Sequence, residues 1–231
     1  MGDKRFMKGN EAIAEAAVRG GNICLLDDNI SFEQAAINEP LSCVYNGFEH
    51  ADISAGDRVL VVGAGPIGIM HCALALMAGA VVYLNDISDS RLKEAKAIYP
   101  KLNILKNVDG IMEATGGDGA DAIITACPVP SVQAKALELA NIGGRIIFFG
   151  GIAAKNEPVA LNTNLIHYKQ LIVSGTTRAS LYQYRKTLQF ISDGVLDVKP
   201  LITNRLTLSE IASGIETAKK GIGLKNVITM E

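Results

Sequence analysis

The sequence predicts an α/β fold with a doubly wound parallel sheet of six strands, helices on both faces, and remnants of a second domain at the termini. From residue 58 onward, short apolar runs alternate with helical stretches, and several of these runs are apolar at nearly every position. Such strands are typical of parallel sheets, because they are buried on both faces. A glycine-rich turn between the first strand and the first helix of this series is the second observation.

The period of the apolar residues predicts each element in order. We predict strands at 58–62, 81–85, 102–105, 121–126, 145–150, 170–175 and 225–230. We predict helices at 66–78, 89–99, 107–117, 131–140, 180–193 and 207–220. Ahead of them, Ser31 and Gln34 have the spacing of a capping box that opens a helix. Pro40 is expected to interrupt that helix or to start a second one.

Composition limits the classes of function. The 231 residues are 48% hydrophobic and 20% charged, as in a soluble globular protein. The net charge of −2 gives no electrostatic reason to expect nucleic acid or a membrane surface as a partner. No apolar stretch reaches the ~18 residues of a spanning helix, and the first twenty residues lack a signal-peptide pattern. We therefore expect a cytoplasmic protein.

The cysteine and histidine residues do not predict a metal site. The cysteines lack the short spacing of structural zinc sites, and we expect ordinary thiols at 24, 43, 72 and 127. Glu39 and Cys43 are four apart and share a predicted helix face, but without further ligands a polar residue at a former domain interface is the favoured interpretation. His50 and His71 are expected to be structural, and the sequence leaves the role of His167 open.

The motif Gly63-Ala64-Gly65-Pro66-Ile67-Gly68 lies directly between a predicted strand and a predicted helix. This context turns a weak G-x-G-x-x-G pattern into the dinucleotide-binding fingerprint of a Rossmann-type domain. Gly63 permits the tight turn, Gly65 lets the backbone approach a pyrophosphate, and Gly68 lets helix and strand pack closely. The helix amides then face the phosphates, and Pro66 fits the first helical position, where a missing N–H costs nothing.

Asp86 ends the second predicted strand, 18 residues after Gly68, where the fingerprint expects a carboxylate. A carboxylate there accepts hydrogen bonds from the ribose 2′- and 3′-hydroxyls and repels a 2′-phosphate, which favours NAD over NADP as the cofactor. Arg91, five residues on, is expected to lie over the adenine or the ribose. Glycine-rich turns also occur without a ligand, but Asp86 disfavours that alternative.

Four stretches of the sequence resemble the cofactor-binding half of the zinc-dependent medium-chain dehydrogenases, especially the sorbitol (polyol) dehydrogenase branch. They are ISFEQAAINEPLSCVYNGFE, DRVLVVGAGPIGIM, KPLITNRLTLSEI and ETAKKGIGLKNVITM, and the similarity runs from about Gly20 to Glu231. The first and last are more specific than the glycine loop, because general Rossmann proteins do not share them. The resemblance implies an NAD-dependent oxidoreductase that transfers a hydride between an alcohol or polyol carbon and nicotinamide, with zinc as a second cofactor of the intact family.

The resemblance also implies roles for single residues. Glu39 is similar to the glutamate beside the catalytic zinc of the polyol branch, and Arg178 to an arginine of the polyol pocket. Lys225 falls where the family places a basic residue on the pyrophosphate. Segment 170–175 resembles an edge strand through which subunits pair, which implies a homodimer or homotetramer. The residues that correspond to the surroundings of the nicotinamide ring are Cys127, Phe149, Gly150 and Thr176.

The sequence departs from this family at its start, where the family's GroES-like domain and its zinc ligands are not found. We therefore expect a remnant of that domain at 1–30, an NAD-binding domain with its leading helix at 31–200, and a C-terminal helix and strand at 201–231. Such a truncated chain is expected to be inactive alone. One alternative is a non-catalytic NAD(H)-binding module or subunit. A zinc-free quinone or enoyl reductase is disfavoured, because those enzymes usually prefer NADP and lack the Glu-Pro-Leu-Ser stretch.

Overall fold

The computed structural model describes residues 24–153 and 158–230 of the chain, so most of the predicted remnant at 1–30 lies outside the described residues. Contacts divide the chain into two compact units. The sheet unit comprises residues 44–177, and the terminal unit joins residues up to 43 with those from 178 onward. Residues 31–43 and 178–200, which we assigned to the NAD-binding domain, thus group with the chain ends. The predicted division into a catalytic-domain remnant, an NAD-binding domain and a C-terminal segment stays a prediction.

The sheet unit contains a parallel sheet with the order β3-β2-β1-β4-β5-β6. The order steps outward from β1 in both directions, which is the doubly wound arrangement. The predicted fold class is therefore confirmed. The six strands are β1 (Arg58–Val62), β2 (Val81–Asn85), β3 (Asn103–Leu105), β4 (Ala120–Thr125), β5 (Ala140–Phe148) and β6 (Ile172–Gly175).

Helices cover the sheet because its strands are apolar on both faces. Leu60 and Ile123 pack on one side with helical residues such as Ile111 and Leu137. The alternate residues, such as Val61, are equally buried and face the other side, where α2 packs against β1 and β2. The helices are α1 (Phe32–Ala51), α2 (Pro66–Met77), α3 (Asp89–Ile98), α4 (Gly110–Ala114), α5 (Pro130–Leu139) and α6 (Thr163–Tyr168).

The expected break at Pro40 is wrong: α1 runs without interruption from Phe32 to Ala51. Proline inside a helix removes one hydrogen bond and costs roughly 3 kcal/mol. Ile37, Leu41 and Val44 are buried along the same helix. Burial of each such side chain contributes about 1.5–3 kcal/mol to the free energy of folding. Burial of the apolar face therefore outweighs the local cost of the proline.

The terminal unit contains elements that the sequence indicated only in part. β7 pairs in parallel with β8, so the last predicted strand has a partner that we did not predict. The apolar pattern of β7 is weak because Asn204 and Arg205 interrupt it; α6 of the sheet unit was also missed. No described helix is long and apolar enough to cross a membrane. The elements are α7 (Leu181–Ser192), β7 (Ile202–Thr207), α8 (Ile211–Lys219) and β8 (Lys225–Thr229).

Candidate functional site

The glycine loop has the geometry that its motif predicts. Gly63 has a φ of +114°, which other residues rarely adopt. A methyl group on Gly68 would lie 1.7 Å from the Gly63 carbonyl oxygen, so only glycine allows the helix to start this close to the strand. A methyl group on Gly65 would meet no atom of the described chain within 4 Å. The loop is therefore closed on its inner side and open where a ligand would approach.

Helix α2 begins at the predicted position, with Gly65 as its N-cap and Pro66 as its first residue. Among the described residues, no side chain forms an N-cap hydrogen bond at this end of the helix. The first amides of a helix lack carbonyl partners within the helix and carry its positive dipole end. The backbone at Ile67 and Gly68 thus offers donors to an anion.

Asp86 contacts the glycine loop directly. Its Oδ2 accepts a hydrogen bond from the Ala64 N–H at 2.7 Å, and its Oδ1 accepts one from the Ser88 N–H at 2.8 Å. Ser88 in turn caps α3 by accepting from the Arg91 N–H. The structure therefore places Asp86, the residue predicted to bind the ribose, against the glycine loop predicted to bind the pyrophosphate. Two backbone N–H groups fix the Asp86 carboxylate.

The residues assigned to the nicotinamide end follow the carboxyl ends of three adjacent strands. Cys127 follows β4, Phe149 and Gly150 follow β5, and Thr176 follows β6. A methyl group on Gly150 would lie 2.6 Å from the Cys127 carbonyl oxygen, so these two segments touch. Thr176 Oγ1 is buried and has no hydrogen-bond partner among the described residues. A polar ligand group at this edge would satisfy that hydroxyl.

Two residues at this edge escaped the sequence analysis. Ile87, next to Asp86, is a fully exposed apolar side chain (105% relative exposure). Gln133 is buried on α5 and donates from Nε2 to the Gly150 carbonyl oxygen at 3.0 Å. The available signals were an apolar residue inside a polar turn and a glutamine on the apolar face of a helix. Neither signal indicates a site without the fold.

Electrostatics support the grouping of these residues. Burial raises the pKa of the Cys127 thiol, and the negative charge of Asp86 adds to the shift. Cys127 is therefore close enough to Asp86 to sense its charge, and it is held as a neutral thiol near pH 7. Asp86 contacts the glycine loop, and Cys127 is near enough to Asp86 for the Asp86 charge to affect its pKa.

A second site candidate lies within the terminal unit. A cleft of about 520 Å³ is lined by Glu39 and Arg178, the two residues that the resemblance assigned to catalysis, together with Cys24, Cys43 and Tyr184. The structure thus brings together residues that are far apart in the sequence. Arg178 has a φ of +61°, in the left-handed region that arginine seldom adopts.

The Glu39 carboxylate affects the pKa of two neighbouring side chains. Burial and then the Glu39 carboxylate raise the pKa of the Cys43 thiol, whose Sγ lies 3.8 Å from Glu39 Oε1. Burial lowers the pKa of Lys225, and the negative charge of Glu39 partly offsets that effect. The structure therefore associates Lys225 with Glu39 inside the terminal unit.

The three histidines differ in their environments. His71 is fully buried on α2, where burial lowers its pKa to about 3. His50 is exposed in the last turn of α1, with Nδ1 3.4 Å from Ser174 Oγ. His167 stacks edge-on with Tyr168. Within residues 24–153 and 158–230, no three His, Cys, Asp or Glu side chains are grouped so as to hold a metal ion.

Comparison with known proteins identifies the family of this chain. A family described as zinc-binding dehydrogenase matches residues 66–193. Sorbitol dehydrogenase from Ovis aries is 30% identical over 222 residues, which are 90% of this chain and 60% of the sheep enzyme. The chain therefore spans about three fifths of the length of that relative.

Solved structures show the same fold. A protein from Escherichia coli CFT073, described as a short chain alcohol dehydrogenase and complexed with NADH, has a TM-score of 0.81 at 24% identity, and the match covers 90% of this chain and 62% of that chain. A zinc-binding dehydrogenase from Sinorhizobium meliloti 1021 bound to NADP has a TM-score of 0.76 at 23% identity, over 84% of this chain and 58% of its own. The resemblance inferred from the sequence, including the similarity to the sorbitol dehydrogenase branch, is confirmed. Because the family match covers more than half of the chain, this protein belongs to the zinc-binding dehydrogenase family.

Proposed function

We propose that this chain forms the NAD(H)-binding part of an alcohol or polyol dehydrogenase. The observation that carries the proposal is the Asp86 carboxylate held against the Ala64 amide of an open glycine loop. That pairing unites a phosphate-binding helix end with a ribose-binding carboxylate. When bound, the nicotinamide accepts a hydride from an alcohol carbon or returns it.

The start of α2 fits a diphosphate. The amides at Ile67 and Gly68 donate toward the space in front of the helix, and Gly65 leaves that space free. Pro66 removes no useful donor, because its position is the first of the helix. Helix termini of this kind bind phosphate through both hydrogen bonds and the helix dipole.

Asp86 selects the unphosphorylated ribose. Each of its carboxylate oxygens accepts one backbone N–H and keeps a further lone pair for a ribose hydroxyl. A 2′-phosphate would instead place negative charge beside this carboxylate, which disfavours NADP. Ile87 offers an apolar surface to the adenine ring, and Arg91 lies in the first turn of α3.

The nicotinamide end lies over β4, β5 and β6, since Asp86 takes the adenosine end over β2. A dinucleotide crosses the carboxyl edge of such a sheet at the point where strand order reverses. Cys127, Phe149 and Gly150 form the wall there, and the unpartnered Thr176 hydroxyl suits the nicotinamide carboxamide. The orphaned Thr176 oxygen and the open space at Gly65 both support a fit to the whole dinucleotide.

The terminal-unit cleft is the proposed substrate site. Glu39 and Arg178 bring opposite charges to a cavity that also presents the Tyr184 side chain, a lining suited to a hydroxyl-rich substrate. The left-handed backbone of Arg178 costs about 1 kcal/mol, and strain of this kind clusters at functional sites. The role of Lys225 on the pyrophosphate stays a prediction; within the terminal unit, the negative charge of Glu39 partly compensates the positive charge of Lys225.

The described residues do not fit a catalytic zinc. Three protein ligands are typical of such a site, and no such group exists among the parts of the chain that the structure describes. No step is therefore assigned to zinc here. The second candidate function is a non-catalytic NAD(H)-binding module or subunit, and for both candidates we expect the chain alone to have little or no turnover.

Strand β6 is the proposed subunit contact. It lies at the edge of the sheet, where it pairs with β5 on one side. Ile172 and Tyr168 near this edge are 59% and 77% exposed. An exposed apolar edge strand is a template for pairing with a second copy, which supports a homodimer or homotetramer.

The test is calorimetric titration of the chain with NAD+, NADH and NADP+. We expect NAD+ and NADH to bind, and NADP+ to bind at least about tenfold more weakly, a difference of roughly 1.4 kcal/mol. Asp86→Asn should reduce that preference, because the amide still accepts from Ala64 but carries no charge. Asp89→Asn, at an exposed carboxylate three residues on, is the control and should bind like the unmodified chain. NADP+ binding as tightly as NAD+ would sink the assignment.

A turnover assay tests the expectation, common to both candidate functions, that the chain alone is inactive. The purified chain is assayed with NAD+, Zn²⁺ and a panel of polyols and secondary alcohols, by NADH absorbance. Cofactor binding without turnover supports a binding part or module. Turnover at the rate of an intact dehydrogenase contradicts both the expected inactivity and the conclusion about the metal ligands.

A further inference from the structure

Three residues of the sheet unit from separate elements meet near the carboxyl end of β5. The His71 ring, on α2, lies edge-on to the Phe149 ring, with centroids 4.7 Å apart and an interplanar angle of 82°. Gly47, on α1, faces both rings. A methyl group there would lie 3.0 Å from His71 Cε1 and 3.1 Å from Phe149 Cδ2. The three elements are thus packed so closely that only glycine leaves both rings undisturbed.

Histidine is a costly residue at this position if it only fills space. The His71 ring is fully buried, and neither ring nitrogen has a hydrogen-bond partner within the described chain. Burial lowers its pKa to about 3, so the ring is neutral near pH 7. Buried polar groups without partners reduce stability, whereas a leucine of similar size would not. The feature that leucine could not supply is the edge of a flat ring against the face of another.

The backbone beside Phe149 is already fixed from the other side. The Gly150 N–H donates to the Thr125 carbonyl oxygen at 2.8 Å, and the Gly150 carbonyl oxygen accepts from Gln133 Nε2 at 3.0 Å. The freedom that remains at this point of the sheet edge is rotation of the Phe149 side chain. The Phe149 ring packs against His71 and faces Gly47, and both neighbours limit its rotation.

We infer that His71 is a positioning residue, which together with the space left by Gly47 sets the Phe149 ring as a wall of the nicotinamide site. The inference rests on the proposed NAD(H) function, since Phe149 follows the strand end over which the nicotinamide is proposed to lie. His71 itself acts through Phe149 and not on the cofactor. Its effect is therefore confined to the nicotinamide half of the ligand.

The test compares NADH with ADP-ribose, which has the adenosine, diphosphate and ribose but no nicotinamide. His71→Leu should weaken NADH binding about fivefold, the loss that one aromatic contact represents, and leave ADP-ribose binding within about twofold. Gly47→Ala, which presses on both rings while keeping a good helix residue, should have the same selective effect. Cys72→Ala, at a fully buried neighbour on α2, is the matched control and should not change the ratio of the two affinities.

Calorimetry on the full chain separates the outcomes. A selective loss of NADH affinity in both variants supports the inference, since a purely structural role would change both ligands together. Equal weakening of NADH and ADP-ribose, or no change in either, overturns it while leaving the proposed function intact. Failure of the unmodified chain to bind either ligand overturns the proposed function, and the inference with it.

Discussion

The two units build their candidate sites in opposite ways. In the sheet unit the site consists of backbone, with Gly63, Gly65 and Gly68 shaping a helix start that a single side chain, Asp86, completes. In the terminal unit the cleft consists of side chains, and its principal residues Glu39 and Arg178 come from distant parts of the sequence. Backbone sites depend on local spacing and tolerate little variation in their glycines. Side-chain clefts depend on how distant segments meet.

The units also differ in how they are held together. At the amino ends of its strands, the sheet unit has Asp121, which accepts hydrogen bonds from Arg58 and Asn141. Those contacts hold the pKa of the Asp121 carboxyl far below its usual range, with the Arg58 side chain as the main cause. The terminal unit joins α1 to β7 by the pair Glu33–Arg205, whose arginine side chain is half exposed. Exposed pairs of this kind contribute about 0–1 kcal/mol.

The largest expected effect on stability comes from a substitution in the glycine loop of the sheet unit. Gly68→Ala places a methyl group 1.7 Å from the Gly63 carbonyl oxygen, so strand and helix must separate. We expect a loss of about 3 kcal/mol in the free energy of unfolding, as for a severely overpacked site, together with loss of NADH binding. Urea denaturation and calorimetry measure the two effects.

Gly65→Ala is the matched control for that experiment, because its methyl group meets no described atom within 4 Å. We expect the free energy of unfolding to change by less than about 1 kcal/mol, while NADH affinity falls about tenfold or more as the methyl group occupies the phosphate space. If both variants lose stability equally, the distinction between a closed inner side and an open outer side of the loop is wrong.

An intermediate effect comes from acid. Burial lowers the folded-state pKa of His71 to about 3, against 6.5 for an ordinary histidine. Below pH 6.5 the unfolded chain binds a proton that the folded chain does not. The free energy of unfolding therefore decreases as the pH is lowered, by up to about 1.4 kcal/mol per pH unit and by about 2.5 kcal/mol between pH 6 and pH 4. Asp121, whose pKa is lowered, adds a loss only below its ordinary value of 3.8.

We expect His71→Leu to flatten this dependence between pH 6 and pH 4, as measured by urea denaturation at half-unit steps. His167→Gln, a change at a histidine of the same unit whose side chain is not buried, serves as the control and should keep the slope of the unmodified chain. Parallel loss of stability in the unmodified chain and in His71→Leu would show that other groups cause the acid sensitivity.

The smallest expected effect concerns the terminal-unit cleft. Burial and then the Glu39 charge raise the pKa of the Cys43 thiol. Glu39→Gln removes the charge, so the thiolate fraction at pH 8 should rise and alkylation of Cys43 should accelerate about twofold. Timed iodoacetamide labelling with mass spectrometry of the Cys43 peptide measures the rate. Glu33→Gln, on the same helix, should leave the rate unchanged, and a slower reaction in Glu39→Gln would contradict the proposed electrostatics.

Much of the sheet unit could be predicted from the sequence. The strands β1 and β2 match their predicted bounds, and the start of α2 at Pro66 follows from the motif. Where prediction failed, a long-range term outweighed a local one. Pro40 remains inside α1 because the helix buries apolar residues on either side of it. β7 was missed because a strand of mixed composition is stabilised mainly by its pairing with β8.

The sequence by itself determined the sheet, the glycine loop and the identity of Asp86 as its acidic partner, because apolar period and local backbone geometry are properties of neighbouring residues. Only the tertiary structure decided which distant side chains meet. Three such contacts join separate parts of the chain. Glu39 and Arg178 line one cleft, Gln133 donates a hydrogen bond to Gly150, and the His71 ring packs against the Phe149 ring. Contacts between elements depend on packing in three dimensions, and spacing along the chain does not encode them.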